Sequence, residues 1–175
     1  MNISVIIPAY NEEERIAPTL KAIDTYLASL HVSYEILVVD DGSSDATVQL
    51  LRAMQEQVPS LRAIETPENR GKGHAVRVGM LEARGDVRIM YDADGSMPAE
   101  EIPKLLTPIF EGKSDIAIGS RYSAGASGQV DQPWWRVLWS RVANKVIRES
   151  LVAGIRDTQC GFKAFSAEAA TAVFS

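Results

Sequence analysis

The sequence predicts an α/β fold, with a mostly parallel central sheet covered by helices on both faces. Three observations predict it. Short, β-rich apolar runs alternate with longer helix-patterned stretches along the 175 residues. Those apolar runs are nearly continuous, as in strands buried on both faces. The polar segments that look chemical follow strand ends, where open α/β sheets gather their ligands.

In chain order, ISVII at 3–7 is the first strand and a helix follows from about 12 to 30. YEILVV at 34–39 and a helix over 44–57 repeat the unit. LRAIE at 61–65, a helix over 72–83, DVRIMY at 86–91, a helix over 99–110 and DIAIG at 115–119 continue it. Three polar loops then converge on one sheet edge: Pro8–Glu12, Asp40–Asp45 and Asp92–Ser96. Asp, Ser, Asn and Gly also cap helices and fill turns, and for Ser43 and Ser44 both readings stand.

Beyond Gly119 a Gly/Ser-rich stretch, 121–132, reads as a loop, and all three tryptophans follow it. Pro133 suits a helix start, after which Trp135, Leu138, Trp139, Val142 and Val146 share one face, and Arg141, Lys145 and Arg148 another. Such a helix is either a core element with a solvated basic side or a basic, Trp-bearing surface that meets lipid headgroups or a lipid-phosphate substrate.

One domain over 1–175 fits this length. Lys plus Arg number 18 against 23 Asp plus Glu, and the net charge of -5 disfavours a nucleic-acid partner. The lone Cys160 excludes an intrachain disulfide and a thiolate zinc site, which points to a reducing, cytoplasmic setting. No apolar run reaches the roughly 20 residues that span a bilayer.

Asp92 and Asp94, two apart at the end of a strand, point the same way if the strand geometry persists. Their hard oxygens suit Mg²⁺ or Mn²⁺, which would neutralise a departing pyrophosphate. Asn69–His74 opens a helix with two glycines and two cations, a composition suited to phosphate, yet neither a P-loop nor a complete GxGxxG is present. The segment 156–163 mixes polar groups and a glycine with apolar residues and reads as a second wall of a site.

Read together, VIIPAYNEEERI, VVDDGSSDAT, NRGKGHAVRVGM, YDADGS, GSRY and DTQCGFKAF resemble, in order, the family 2 inverting glycosyltransferases of GT-A fold. Within them the chain is most similar to the dolichyl-phosphate glucosyltransferases, with the mannosyltransferases as close relatives. The resemblance implies a Rossmann-like nucleotide-diphospho-sugar transferase fold. It implies transfer of a hexose, glucose from UDP-glucose, onto a polyprenyl or dolichyl phosphate at the cytoplasmic face of a membrane, with GDP-mannose as the alternative donor. Pro8, Tyr10, Glu12, Val39, Asp41 and Lys72 would line the nucleoside pocket, with Asp41 reading the base edge. Asp92, Ala93 and Asp94 match the DxD, with Asp94 as principal ligand of the divalent cation and Asp92 near the ribose and diphosphate. Ser96 stands where the mannosyl relatives carry a glutamine that completes the metal site. Arg121, Arg136, Ser140 and Lys163 match positions around the donor diphosphate or acceptor phosphate, so Asp94, Arg121, Arg136 and Lys163 form the electrostatic machinery. An acceptor phosphate is already ionised at neutral pH, and no general base is assigned. Relatives of this kind continue with further, often membrane-anchoring segments, which this chain is expected to lack.

Two rivals come from other classes. A haloacid-dehalogenase-like phosphatase would make an aspartyl-phosphate on Asp92, but its DxD opens the domain, whereas three βα units precede this one. The other is a non-catalytic module that binds nucleotide-sugars or lipid surfaces. An EF-hand fails because Met97 and Pro103 stand where that loop needs Gly and Glu.

Overall fold

The structure, a computed structural model, describes residues 2–120 and 160–175. Their elements are β1 (Asn2–Ala9), α1 (Ile16–Ser29), β2 (Ser33–Asp40), α2 (Thr47–Gln55), β3 (Leu61–Glu65), α3 (Lys72–Glu82), β4 (Val87–Met90), a 3₁₀ turn (Ala99–Glu101), α4 (Ile102–Phe110), β5 (Ile116–Ile118), β6 (Lys163–Ser166) and α5 (Ala167–Phe174). The six strands form one sheet in the order β3-β2-β1-β4-β6-β5. β1 pairs in parallel with β2 and β4, and β2 with β3. β6 runs antiparallel to both β4 and β5, so five strands share one direction.

The period-2 geometry of the strands sorts the core into two layers. Ile3, Val5 and Ile7 of β1 with Ile36 and Val38 of β2 face α1, α2 and α4, where Ile16, Leu20, Ile23, Leu51, Ile102 and Leu105 meet them. Ile6, Leu37 and Val39 face the other way, against Ala75, Val76 and Met80 of α3 and Ala170 of α5. α3 approaches closely because Gly79 lacks a side chain: a Cβ there would run into Cγ2 of Ile6 and lie 3.1 Å from Cγ2 of Val39.

The sequence reading and the structure differ at three places that shape the site. α1 begins at Ile16, later than the pattern predicts, and the N–H groups of Glu12 and Glu13 ahead of it are given to Thr47 Oγ1 (2.8 Å) and Asp45 Oδ2 (3.2 Å) of the next loop. β6 enters between β4 and β5, a long-range pairing that no local periodicity encodes. β1 runs two residues past its apolar core, to Ala9. The Ile6 carbonyl faces β4, where it accepts from Tyr91 N–H at 2.9 Å, and the Ala9 carbonyl faces β2. By alternation Pro8 faces β4, and having no N–H it cannot extend that ladder, whose last pair is Ile6↔Met90. A crevice therefore opens between β1 and β4, where the strand order reverses, the usual ligand position of such sheets.

Candidate active site

The crevice holds a pocket of about 290 Å³ lined by Pro8, Ala9, Tyr10, Glu12, Asp41, Asn69, Lys72, Ala75, Asp92, Ala93 and Asp94. The carboxyl ends of β1, β2 and β4 and the start of α3 thus meet, as the motif spacing predicts.

Two loops brace each other across the crevice mouth. Asn11 N–H donates to Ser43 Oγ (2.9 Å), Ser44 N–H to Asn11 Oδ1 (2.9 Å) and Ala46 N–H to Glu13 Oε2 (2.7 Å). Asn11 reaches this position with φ of 55°, a left-handed conformation that asparagine tolerates. The helix-cap reading of Ser43 and Ser44 gives way: α2 has no side-chain cap, and both serines tie loop to loop. Burial raises the Asp45 carboxyl, but hydrogen bonds from the Thr47 hydroxyl and from the Thr47 and Glu13 amides outweigh it and hold the pKa below the usual range. Burial pushes the Glu12 carboxyl up; Arg15, at 2.8 Å, opposes this, while the charges of Asp94 and Asp45 add to it.

Asp41 is 2% exposed. Its carboxylate accepts from Gly71 N–H at 2.7 Å and Arg70 N–H at 3.2 Å, and its Oδ1 lies 3.8 Å from His74 Nδ1. Amides that the composition of the glycine-rich motif suits to phosphate are thus given to Asp41, and the start of α3 presents Lys72 to the pocket instead. Lys72 Nζ lies 2.6 Å from Asp92 Oδ1. A Cβ on Gly161 would fall on the Asp92 carboxylate, so within the described residues 160–163 of the segment read as a second wall, Gly161 abuts the DxD. Tyr91 packs edge-on against Phe162 with centroids 5.6 Å apart, and its hydroxyl donates to the Met97 carbonyl beyond the DxD. Burial, then the charges of Glu100, Asp94 and Asp92, push the Tyr91 hydroxyl up to about 12, so it remains a neutral donor.

Of the sequence-derived site residues, Pro8, Tyr10, Glu12, Asp41, Lys72, Asp92, Ala93 and Asp94 line the pocket. Val39 does not: its side chain is fully buried beneath α3. Ser96 is exposed and outside the lining, and its contact with the DxD is a backbone donation from its N–H to Asp94 Oδ1 at 2.9 Å. Lys163 sits on β6 opposite Met90 and Ile118. Arg121, Arg136, Ser140 and the 133–148 helix lie outside the described residues. Asn69 and Ala75 join the lining without having been singled out, although both belong to the NRGKGHA motif.

Among the described residues no three His, Cys, Asp or Glu side chains cluster as a ready metal site. The donors nevertheless fit Mg²⁺ or Mn²⁺, which is usually held by one or two carboxylates with substrate phosphate and water completing the shell. Asp94 is exposed toward the pocket and its charge repels that of Glu12, a repulsion that a cation would relieve.

Comparison with known proteins agrees with this geometry. A family model described as Glycosyl transferase family 2 matches residues 4–174. The chain belongs to this family. Among curated family 2 relatives, it is 37% identical to a dolichyl-phosphate beta-glucosyltransferase of Drosophila melanogaster, over 100% of this chain and 57% of that one. It is 42% identical to a dolichol-phosphate mannosyltransferase of Pyrococcus furiosus, over 96% of this chain and 47% of that one. The chain spans about half the length of these relatives. Among solved structures, glucosyl-3-phosphoglycerate synthase from Mycobacterium tuberculosis in complex with phosphoglyceric acid superposes with a TM-score of 0.69 at 23% identity, over 95% of this chain and 57% of that one. The mannosyltransferase PcManGT from Pyrobaculum calidifontis, in complex with GDP-Man and Mn²⁺, gives 0.66 at 24% identity, over 95% and 44%. Family 2 membership and these GT-A neighbours remove the phosphatase reading of Asp92. Among the described residues, no helix is long and apolar enough to cross a membrane.

Proposed function

We propose that this chain carries the donor-binding part of an inverting glycosyltransferase that moves glucose from UDP-glucose onto a polyprenyl or dolichyl phosphate. The observation that supports this most directly is the crevice itself, in which Lys72, Asp92 and Asp94 meet at the end of β4 beside the nucleoside-sized space bounded by Tyr10 and Asp41. The likeness to dolichyl-phosphate glucosyltransferases supports the lipid-phosphate acceptor.

In this reading the base lies against Tyr10 and Pro8, and Asp41, fixed by the Gly71 and Arg70 amides, offers its remaining lone pairs to the base edge. Asp92 approaches the ribose and the diphosphate, and Lys72 offers its charge to the diphosphate. A bound divalent cation would supply charge neutralisation for the departing nucleoside diphosphate, held by Asp94 with Asp92. Arg121, Arg136, Ser140 and Lys163 surround the two phosphates, so that an already ionised acceptor oxygen can attack the anomeric carbon in line without a protein base. An acceptor carried by lipid would bring the chain to a membrane surface, in this reading at its cytoplasmic face.

GDP-mannose is the second donor candidate, favoured by the 42% identity to the Pyrococcus furiosus mannosyltransferase. Calorimetric titration with UDP-glucose and GDP-mannose, each with Mn²⁺ and with chelator, separates them. Metal-dependent binding of UDP-glucose alone is the expected result. A preference for GDP-mannose would transfer the same site to mannose, and no binding of either would refute the donor-site assignment for this chain.

A further inference from the structure

α1 buries an apolar stripe of Ile16, Leu20, Ile23 and Leu27, and one polar side chain interrupts it. Thr19 is 6% exposed, and its Oγ1 lies 2.9 Å from two carbonyl oxygens, that of Arg15 one turn back and that of Ala93 between the two DxD aspartates. A helical threonine bonds the carbonyl one turn back by default, and that bond would account for the hydroxyl without reference to the site. The partners decide otherwise. The Arg15 carbonyl already accepts the Thr19 amide (3.4 Å), whereas among the described residues no N–H reaches the Ala93 carbonyl. A buried carbonyl left without a donor is the costlier arrangement, so the single hydroxyl proton belongs to Ala93. The next loop residue agrees: Gly95 turns with φ of 63°, and a Cβ on it would lie 2.9 Å from Thr19 Oγ1, so the loop is seated directly on that hydroxyl.

We infer that Thr19 is a positioning residue for the carboxylate pair: by holding the carbonyl of Ala93 it sets the direction in which Asp92 and Asp94 leave the backbone on either side. What the pair binds rests on the function proposed above, but the anchoring of the loop does not.

The experiment compares Thr19→Val, which keeps the shape and removes the hydroxyl, with Thr19→Ser, which keeps the hydroxyl. Mn²⁺-dependent UDP affinity is read by calorimetry, backbone amide exchange over 92–97 by mass spectrometry and folding by thermal melt. Thr19→Val should weaken Mn²⁺-dependent binding roughly tenfold, the scale of one lost buried hydrogen bond. It should also speed exchange in the loop, while Thr19→Ser behaves as wild type. Wild-type affinity and exchange in Thr19→Val would overturn the inference, as would equal loss in both variants, because Thr19→Ser keeps the hydroxyl. If Thr19→Val does not fold, Thr19→Ala is compared with Thr19→Ser by the same criteria. A wild-type chain that binds neither UDP nor GDP would refute the proposed function alone, and amide exchange in the variant pair would still decide the role of Thr19.

Discussion

Gly161→Ala sets stability and site geometry against each other. The φ of Gly161 lies outside the left-handed range, so alanine meets no backbone strain, but the new methyl falls on Cγ and both oxygens of the Asp92 carboxylate. That carboxylate ends a rotatable side chain and can swing away. Overpacking of this kind costs about 1–3 kcal/mol. The stiffer unfolded chain returns about 0.4–1 kcal/mol, which leaves a net loss of roughly 0–2.6 kcal/mol. The displaced carboxylate also loses Lys72, at 2.6 Å, a half-exposed pair worth at most about 1 kcal/mol. Binding should suffer more than folding. If Asp92 meets the donor through a charged hydrogen bond, its displacement costs about 1.5–3 kcal/mol. Mn²⁺-dependent UDP affinity should then fall roughly 10- to 150-fold in a protein that still melts cooperatively. Unchanged affinity in the folded variant would refute either the seating of Asp92 on Gly161 or the place of Asp92 in the donor site.

Other substitutions test other parts of the argument. Asp94→Ala should abolish the difference in UDP affinity between Mn²⁺ and chelator, and persistence of that difference in calorimetry would remove Asp94 from the metal site. Gly79→Ala should lower stability by about 1–3 kcal/mol in urea titration, because the methyl meets Ile6 across the α3–sheet interface; an unchanged midpoint would mean that α3 can shift. The Asp45 carboxyl is held below its usual pKa in the folded chain, so its contribution is present above the unfolded pKa and is lost as pH falls through the folded one. The stability gap between wild type and Asp45→Asn should therefore narrow in acid, below about pH 4, and a gap independent of pH would contradict that assignment.

The parallel half of the fold and most of the pocket were legible because they are written locally. Near-continuous apolar runs marked β1 to β4, and polar residues at their ends marked the lining. Residues whose place depends on distant partners were not legible. Nothing near Lys163–Ser166 announces that this strand slips between β4 and β5. Val39 stands beside Asp40 and Asp41 in its motif, yet strand alternation turns it under α3. Ser43 and Ser44 have the composition of helix caps, and the bonds to Asn11 that replace capping cross from one loop to another. The role of Pro8 depends on which neighbouring strand its missing N–H would have faced, and that needs the sheet order.

The charge balance of the crevice leads to a last prediction. Its described lining carries four carboxylates, Glu12, Asp41, Asp92 and Asp94, against the single ammonium of Lys72. A nucleoside diphosphate entering such a site needs added positive charge, which the proposed function draws from a divalent cation and from Arg121 and Arg136. Lys72 pairs with Asp92 and, on the proposed function, would compete with a cation for that carboxylate; an arriving diphosphate would give Lys72 a second anion to pair with and free Asp92. Metal and nucleotide should then bind with positive coupling, each easing the entry of the other. Lys72→Met should uncouple them. With the ammonium gone, Mn²⁺ affinity without nucleotide, read by electron paramagnetic resonance, should rise about fivefold, the scale of one half-exposed ion pair. UDP affinity should fall, because the diphosphate has lost a cation, and the gain in UDP affinity on adding Mn²⁺ should shrink. An Mn²⁺ affinity that is unchanged or falls in Lys72→Met would mean that Asp92 takes no part in holding the cation, and the positive coupling would then need another source.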